Sequence, residues 1–215
     1  MTARRKAVLG TAVGFAVLAG LVSLYVLYWV AKPAVVKVPS AGVTLQTVGA
    51  LGPRYEHPDW VSYLTQNDRG KWVHSTDIRV PARSLVRVTI LQYDSATGLR
   101  NPFFARVQGT NGGVAEIDGK KTEVVDPSQP GHTFAIPQLG VYVPLPGVPG
   151  KAPNQCSAAP CTRAQAHRTI TFTFRTGAKG RYRWQCFVPC GAGYYAGLGG
   201  PMQAFGYMAG YLDVV

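Results

Sequence analysis

Four cysteines carry most of the reactive chemistry in this sequence, and they fall into two close pairs, Cys156/Cys161 and Cys186/Cys190. Thiols spaced this way either oxidise to a local bridge or hold a metal ion, and their surroundings decide which. Cys156 and Cys161 lie in Asn154-Gln155-Cys156-Ser157-Ala158-Ala159-Pro160-Cys161-Thr162, a loop whose nearest further metal-binding side chain is His167. A local disulfide tying down that loop is the simpler reading, because zinc would need one or two more ligands that are not evident. Cys186-x3-Cys190 alone is a weak signal. The other residues able to join a metal site are His57, His74, His132 and His167, and the late methionines Met202 and Met208. There is no phosphate-cradling glycine motif, no Ser/His/Asp pattern and no pair of carboxylates at a clear catalytic spacing. Phosphoryl transfer and nucleophilic hydrolysis therefore have no residues to carry them.

The elements that must position these groups read mostly as β. Gly (25) and Pro (16) are abundant, which favours turns and short strands over long helices. Beyond Ala31 no stretch sustains a helical apolar period. Ile78, Val80, Leu85, Val86, Val88 and Ile90 give two short runs with Pro81-Ala82 at the bend. Residues 94–129 are dense in turn signals, among them Asn101-Pro102 and Asp118-Gly119, and read as a long excursion containing a hairpin. His132–Pro137 and Val141–Val143 follow. Thr169–Arg175 and Gly180–Cys186 then alternate well, and Gly210–Val215 closes the chain. On Gly180–Cys186, Arg181 and Arg183 alternate with Tyr182 and Trp184. This alternation fits an exposed face against a core face. Several short strands in this order suggest a Greek-key sandwich.

Part of the hydrophobic content, 47% against 15% charged, sits in one N-terminal run. No charge interrupts the sequence between Lys6 and Lys32, and a helix over residues 7–31 is long enough to cross ~30 Å of hydrocarbon. Tyr25, Tyr28 and Trp29 near its far end suit the lipid–water boundary. Arg4-Arg5-Lys6 precede it, so the positive-inside rule keeps residues 1–6 in the cytoplasm and sends the rest out of it. The run exceeds the apolar core of a cleaved signal peptide. The expected organisation is a cytoplasmic tail over 1–6, a single transmembrane helix over 7–31, a connector over 32–75 and a β-domain over 76–215. The main domain is then extracytoplasmic and anchored to the plasma membrane. The net charge of +12 remains strongly positive without the N-terminal cluster. Nucleic acid makes a poor partner outside the cell, which leaves an anionic lipid surface, an acidic protein or a plain solvated surface.

Three ordered blocks carry a more specific signal. The first is Gly131-His132-Thr133-Phe134-Ala135-Ile136-Pro137-Gln138-Leu139-Gly140-Val141, followed by Pro146-Gly147. The second is Ile170–Thr176, then Gly180-Arg181-Tyr182-Arg183-Trp184-Gln185-Cys186-Phe187-Val188-Pro189-Cys190-Gly191. The third is Met208-Ala209-Gly210-Tyr211-Leu212-Asp213-Val214. In type, order and approximate spacing they resemble subunit II of the haem-copper (cytochrome c) oxidases, over Asp77 to Val215 apart from two or three insertions. The resemblance implies a mainly β, Greek-key cupredoxin-like sandwich behind one transmembrane helix. It also implies a copper site of the CuA kind. Carried over, His132 is the first imidazole, Cys186 and Cys190 are the bridging thiolates, Val188 supplies a backbone carbonyl where the family usually has Glu, and Met208 is the thioether. Sulfur ligands suit the lower oxidation state of copper, and imidazole serves both states. The match departs from the family at one ligand. The residue four after Cys190 is Tyr194, where the family has its second histidine, and counting back three from Met208 gives Phe205. The stretch over 194–204 is an insertion, and Met202 within it is a rival thioether.

The resemblance implies an electron-transfer subunit that takes electrons from a cytochrome c and passes them to haem in subunit I, and that catalyses nothing alone; with it comes a second reading of Trp184, just before the metal loop, as part of an electron-entry surface. A basic domain calls for an acidic or membrane-tethered donor. Two alternatives stay open: a non-redox structural or assembly subunit with a degenerate site, and a carrier holding Cu(I) through His132, the thiols and the methionines.

Overall fold

The structure is a computed structural model and describes residues 15–23, 36–37, 42–48, 60–98, 100–190 and 200–215. The chain divides into two compact units, Met1–Pro33 and Ala34–Val215. In the first unit residues 15–23 form helix α1, with its side chains exposed. This helix lies inside the span expected to cross the membrane, and the rest of that span is outside the described residues. Among the described residues no helix is long and apolar enough to cross a membrane.

The second unit is mainly β. Its first strands are β1 (Val36–Lys37), β2 (Gly42–Val48), β3 (Ser62–Gln66), β4 (Trp72–Val73), β5 (Asp77–Val80) and β6 (Leu85–Gln92). After a short helix α2 (Pro102–Ala105) come β7 (Ala115–Ile117), β8 (Lys120–Thr122), β9 (Pro130–Ile136) and β10 (Val141–Pro146). The chain ends with β11 (Arg168–Arg175), β12 (Gly180–Gln185), a short helix α3 (Gly200–Gln203) and β13 (Ala209–Val214). One sheet has the order β1-β5-β13-β12-β9-β10, and the other β4-β3-β2-β6-β11-β7-β8.

Alternation explains how the two sheets bind each other. In β11 the apolar Ile170, Phe172 and Phe174 are buried, while Thr169, Thr171 and Thr173 are only partly covered. This strand pairs antiparallel with β6 along its whole length, from Arg168 opposite Gln92 to Arg175 opposite Leu85. Val86, Val88 and Ile90 of β6 thus join the same inner layer, and Ile78, Phe134, Ile136, Val143, Trp184 and Leu212 face them from the other sheet. Phe134 touches Phe172 across the gap, with ring centroids 5.6 Å apart. Burying a side chain of this size stabilises the fold by roughly 1.5–3 kcal/mol.

The excursion over 94–129 contains the expected hairpin. Strands β7 and β8 pair around Asp118-Gly119, whose φ angles of 49° and 83° are those of a primed turn. The expected connector is more structured than its composition suggests. Within 32–75 lie β1, which pairs with β5, and β2 to β4, which form one edge of the second sheet. Strand β2 runs parallel to β6, with Leu45 opposite Ile90 and both fully buried.

One end of the first sheet opens. Strands β12 and β9 pair only at Gln185 and Ala135. Past that point the chain leaves the sheet as Cys186–Cys190, beside His132 on β9 and Met208 at the head of β13.

Candidate metal centre

His132 is 1% exposed, held near the start of β9, with its backbone register fixed opposite Leu145 of β10. Cys186 is fully buried and begins the loop as β12 ends. Its N–H donates to the carbonyl of Met208 at 2.8 Å, continuing the β12–β13 ladder by one pair. Residues opposite one another in an antiparallel ladder share a face, so the Cys186 thiol and the buried Met208 thioether belong to the same side of the sheet. Val188 is buried, and its carbonyl oxygen is 3.3 Å from the Cys186 sulfur. Cys190 is partly buried and closes the loop, with its sulfur 3.9 Å from that of Cys186. The two thiols are not bonded to each other.

The imidazole completes the group. His132 Nδ1 lies 3.8 Å from the Cys186 sulfur. Among the described residues, His132, Cys186 and Cys190 are the one cluster of metal-capable side chains whose ligand atoms all lie within 4.8 Å of one another. An ion bound at ~2.0–2.3 Å by nitrogen and sulfur holds adjacent ligand atoms about 3.5–4.0 Å apart at tetrahedral or trigonal angles. The observed 3.8 Å and 3.9 Å fall in that range. A donor set of one imidazole and two thiols suits copper or zinc, and a thioether on the same face leans toward copper.

The electrostatics separate the two thiols. Burial alone would raise the Cys186 thiol, but the contacts from Cys190, His132 and the Thr133 N–H outweigh it and hold it well below its ordinary range. The bond to Cys186 and burial push Cys190 the other way. Burial would lower His132, yet Asp94 and Cys186 together push it up to about 9. Without a metal, these directions favour an imidazolium beside a thiolate, with Cys190 keeping its proton.

Neighbouring groups hold these side chains still. His132 Nε2 is 2.9 Å from the carboxylate of Asp94. Burial works to raise the Asp94 carboxyl, but the His132 bond and charge and the Ser95 N–H keep it below the ordinary carboxylate range. Thr133 N–H points at the Cys186 sulfur at 3.5 Å, and the Thr133 hydroxyl oxygen accepts from Phe187 N–H at 2.8 Å. Beneath them the fully buried Tyr63 donates its hydroxyl to the Thr133 carbonyl at 3.0 Å. Tyr63 in turn packs edge-on to Trp184, with centroids 4.9 Å apart.

Other expected residues lie elsewhere. His74 Nε2 contacts the carbonyl of Gly206, and its ring packs against Tyr207. His167 bonds the Gln165 carbonyl at 2.7 Å and leans on Tyr93. His74 Nε2 also lies 3.4 Å from the Ser62 hydroxyl, and neither histidine joins the His132/Cys186/Cys190 group. His57 and Tyr194 are outside the described residues. Met202 on α3 is partly buried against the main core. Trp184 is fully buried, stacks on Phe134 at 5.1 Å and donates to the Thr76 carbonyl at 2.9 Å. It is a core residue, and the reading of Trp184 as an electron-entry surface falls. Arg181, on the opposite face, pairs with Asp77 and Asp213 and lies 3.8 Å over the Tyr211 ring. Cys156 and Cys161 form a disulfide with Cα atoms 5.8 Å apart.

Sequence reasoning missed Asp94, Thr133 and Gln46, which clamps the disulfide loop by accepting from Cys161 N–H at 2.8 Å. Thr133 adjoins His132 and could have been suspected from that alone. Asp94 carries no such signal, since an aspartate followed by serine after a strand reads as an ordinary turn.

No family model matches the chain. No curated protein matches it either. Solved structures similar to it include rusticyanin from Thiobacillus ferrooxidans, at 16% identity over 81% of this chain and 76% of that one, with a TM-score of 0.33. Reduced rusticyanin gives 15% identity over 83% of each chain and a TM-score of 0.32. A haem-copper terminal oxidase dimer solved by electron cryomicroscopy gives 12% identity over 99% of each chain and a TM-score of 0.31.

Proposed function

We propose that the chain is a cupredoxin-type electron-transfer domain, acting as the subunit II-like component of a membrane haem-copper oxidase through a copper site of altered ligand set. The observation that carries this reading is the convergence of His132, Cys186 and Cys190. They come from two distant segments, yet their ligand atoms gather within 4.8 Å, with both thiols unbonded. His132, Cys186 and Cys190 would hold copper, with the Val188 carbonyl and the Met208 thioether as the remaining donors. Copper bound there supplies one-electron exchange at a site shielded from water. The protein's part is to keep the donors in one geometry through both oxidation states. The β9 and β13 ladders, the Thr133 contacts and the buried Tyr63 perform that task.

The wider assignment follows from the same reading. The partner is subunit I with the other membrane subunits of the oxidase. The electron donor is an acidic or membrane-tethered cytochrome c. The domain sits outside the plasma membrane, with residues 1–6 in the cytoplasm and residues 7–31 as the single anchor.

Metal content and the electron paramagnetic resonance spectrum of the oxidised, copper-supplied full chain test the core of this. A coloured, copper-loaded protein with a thiolate-to-copper absorption supports it, and the spectrum counts the ions. A colourless product that takes up no copper overturns it. A second reading is favoured by the single imidazole in the described cluster: a carrier for Cu(I), which soft donors prefer. Tight Cu(I) binding with no stable Cu(II) form selects that reading.

A further inference from the structure

We propose that Asp94 is a positioning residue for the copper site, presenting Nδ1 of His132 to the metal and lending negative charge to the bound ion through the imidazole. The inference rests on the copper reading above and names a residue that reading does not use.

The geometry is specific. The His132 ring has two nitrogens, and they face opposite chemistry. Nδ1 faces the Cys186 sulfur at 3.8 Å, while Nε2 is 2.9 Å from Oδ2 of Asp94. A carboxylate can only accept here, so Nε2 keeps its proton whether the ring is charged or neutral, and Nδ1 is the nitrogen that gives up its proton to a metal. Histidine ligands are commonly fixed in this way by a carboxylate on the far nitrogen, which orients the ring and makes it a stronger donor.

Asp94 is itself held. Its second oxygen, Oδ1, accepts from Ser95 N–H at 2.8 Å, and its backbone carbonyl accepts from Val148 N–H at 2.9 Å. Two glycines admit the turn that carries it. A Cβ on Gly147 would lie 2.0 Å from the Ala96 nitrogen, and one on Gly131, the neighbour of His132, would lie 2.4 Å from the Ser95 carbonyl oxygen. Neither close approach is open to another residue type without moving the turn. Backbone clamps on both sides and a bond to each carboxylate oxygen distinguish this pairing from a surface ion pair between mobile side chains. The carboxylate is 29% exposed, whereas the imidazole is 1% exposed. Asp94 therefore closes the site on its solvent side.

The test compares wild type with Asp94→Asn and Asp94→Ala in the full chain. Three quantities are read: Cu(I) affinity by competition with a chromophoric chelator, the reduction potential of the copper-loaded protein, and the thermal midpoint of the copper-free protein. Asp94→Asn keeps the shape and loses the charge. It is expected to weaken Cu(I) binding by roughly 10–100-fold and raise the potential, because the oxidised ion loses a stabilising negative neighbour. Asp94→Ala is expected to weaken binding at least as much. Unchanged affinity and potential in Asp94→Asn overturn the proposal. So does a lowered thermal midpoint with the potential unmoved, which is the mark of a merely structural role. Failure of the copper reading is told apart by the wild type: if it binds no copper, that reading falls. The pairing is then read in the copper-free protein, where an exchange-protected Nε2 proton of His132 should appear by proton NMR in wild type and vanish in Asp94→Ala. Its absence in wild type overturns the pairing itself.

Discussion

Two of the side chains at the centre, His132 and Cys190, have to lose a proton before a metal can bind, and this makes uptake depend on pH. His132 is pushed up to about 9, so near neutral pH the Nδ1 lone pair is covered by a proton in the copper-free protein. Cys190 is raised and also holds its proton, whereas Cys186 is lowered and is already a thiolate. Binding releases protons from His132 and Cys190. Apparent copper affinity is therefore expected to rise with pH, by up to about tenfold per unit for each proton released, with the His132 share ending near about 9 and the Cys190 share continuing above it. A competition titration at several pH values measures this, and a flat profile would contradict the imidazolium–thiolate arrangement. The stability of the copper-free protein follows the same groups with a different shape. Unfolded His titrates near ~6.5 and unfolded Cys near ~8.5. Below ~6.5 the unfolded chain holds more protons than the folded pair, so stability rises with pH. Between ~6.5 and ~8.5 the ion pair and its unfolded counterparts hold equal numbers, and stability is level. Above ~8.5 the unfolded thiols lose protons that folded His132 and Cys190 retain, and stability falls. Denaturant midpoints across pH 5.5 to 9.5 should trace that plateau. The grouping of His132, Cys186 and Cys190 was legible in the sequence because they stand in ordered motifs next to turn-forming residues. Asp94 was not, because its meaning depends on a partner brought beside it by the pairing of distant strands.

Strands and loops set where those side chains meet, and their backbone contacts give separate tests. Gly210 of β13 faces Thr76, and a Cβ there would lie 1.9 Å from the Thr76 carbonyl oxygen. That oxygen also accepts from Trp184 Nε1 at 2.9 Å and from Tyr211 N–H at 3.2 Å. Gly210→Ala should therefore strain two layers at once. A loss of about 2–4 kcal/mol is expected by chemical denaturation, comparable with other severe core changes. The disulfide loop is separate from this region. Cys161 packs with Leu64, Leu91 and Tyr93 in a small second cluster of its own. Replacing Cys156 and Cys161 by serine should cost about 2 kcal/mol, as expected for a short bridged loop, and leave the copper spectrum as in wild type. A lost spectrum would mean that this loop supports the centre. The strongly alternating strands β6, β11, β12 and β13 were legible because each shows one apolar face to the core. Strands β1 to β4 were not read as strands. Their segment is rich in Pro, Gly and polar residues, and β2 owes its place to parallel pairing with β6, which leaves no local signature.

At the scale of the whole chain, charge determines how a partner approaches. The net charge of +12 is large for a protein of this size, and a field of one sign steers oppositely charged partners while repelling like ones. If an acidic cytochrome c is the donor, complex formation gains from this attraction chiefly in its on-rate. Salt shortens the reach of the field from ~30 Å at 0.01 M to ~10 Å at 0.1 M. The bimolecular rate of copper reduction by an acidic donor should therefore fall by on the order of tenfold or more over that range, whereas the rate with a basic cytochrome should be slower at low salt and rise. Stopped-flow measurement on the copper-loaded full chain in detergent separates the two. A rate independent of salt with both donors would mean that the positive charge faces something other than the donor. An anionic lipid surface would be the remaining partner for it, and vesicles containing anionic lipid should then bind the chain more tightly than neutral ones. On the electron-transfer reading, the sign of the salt effect thus connects a property visible in composition alone to the charge of the donor that docks on the chain.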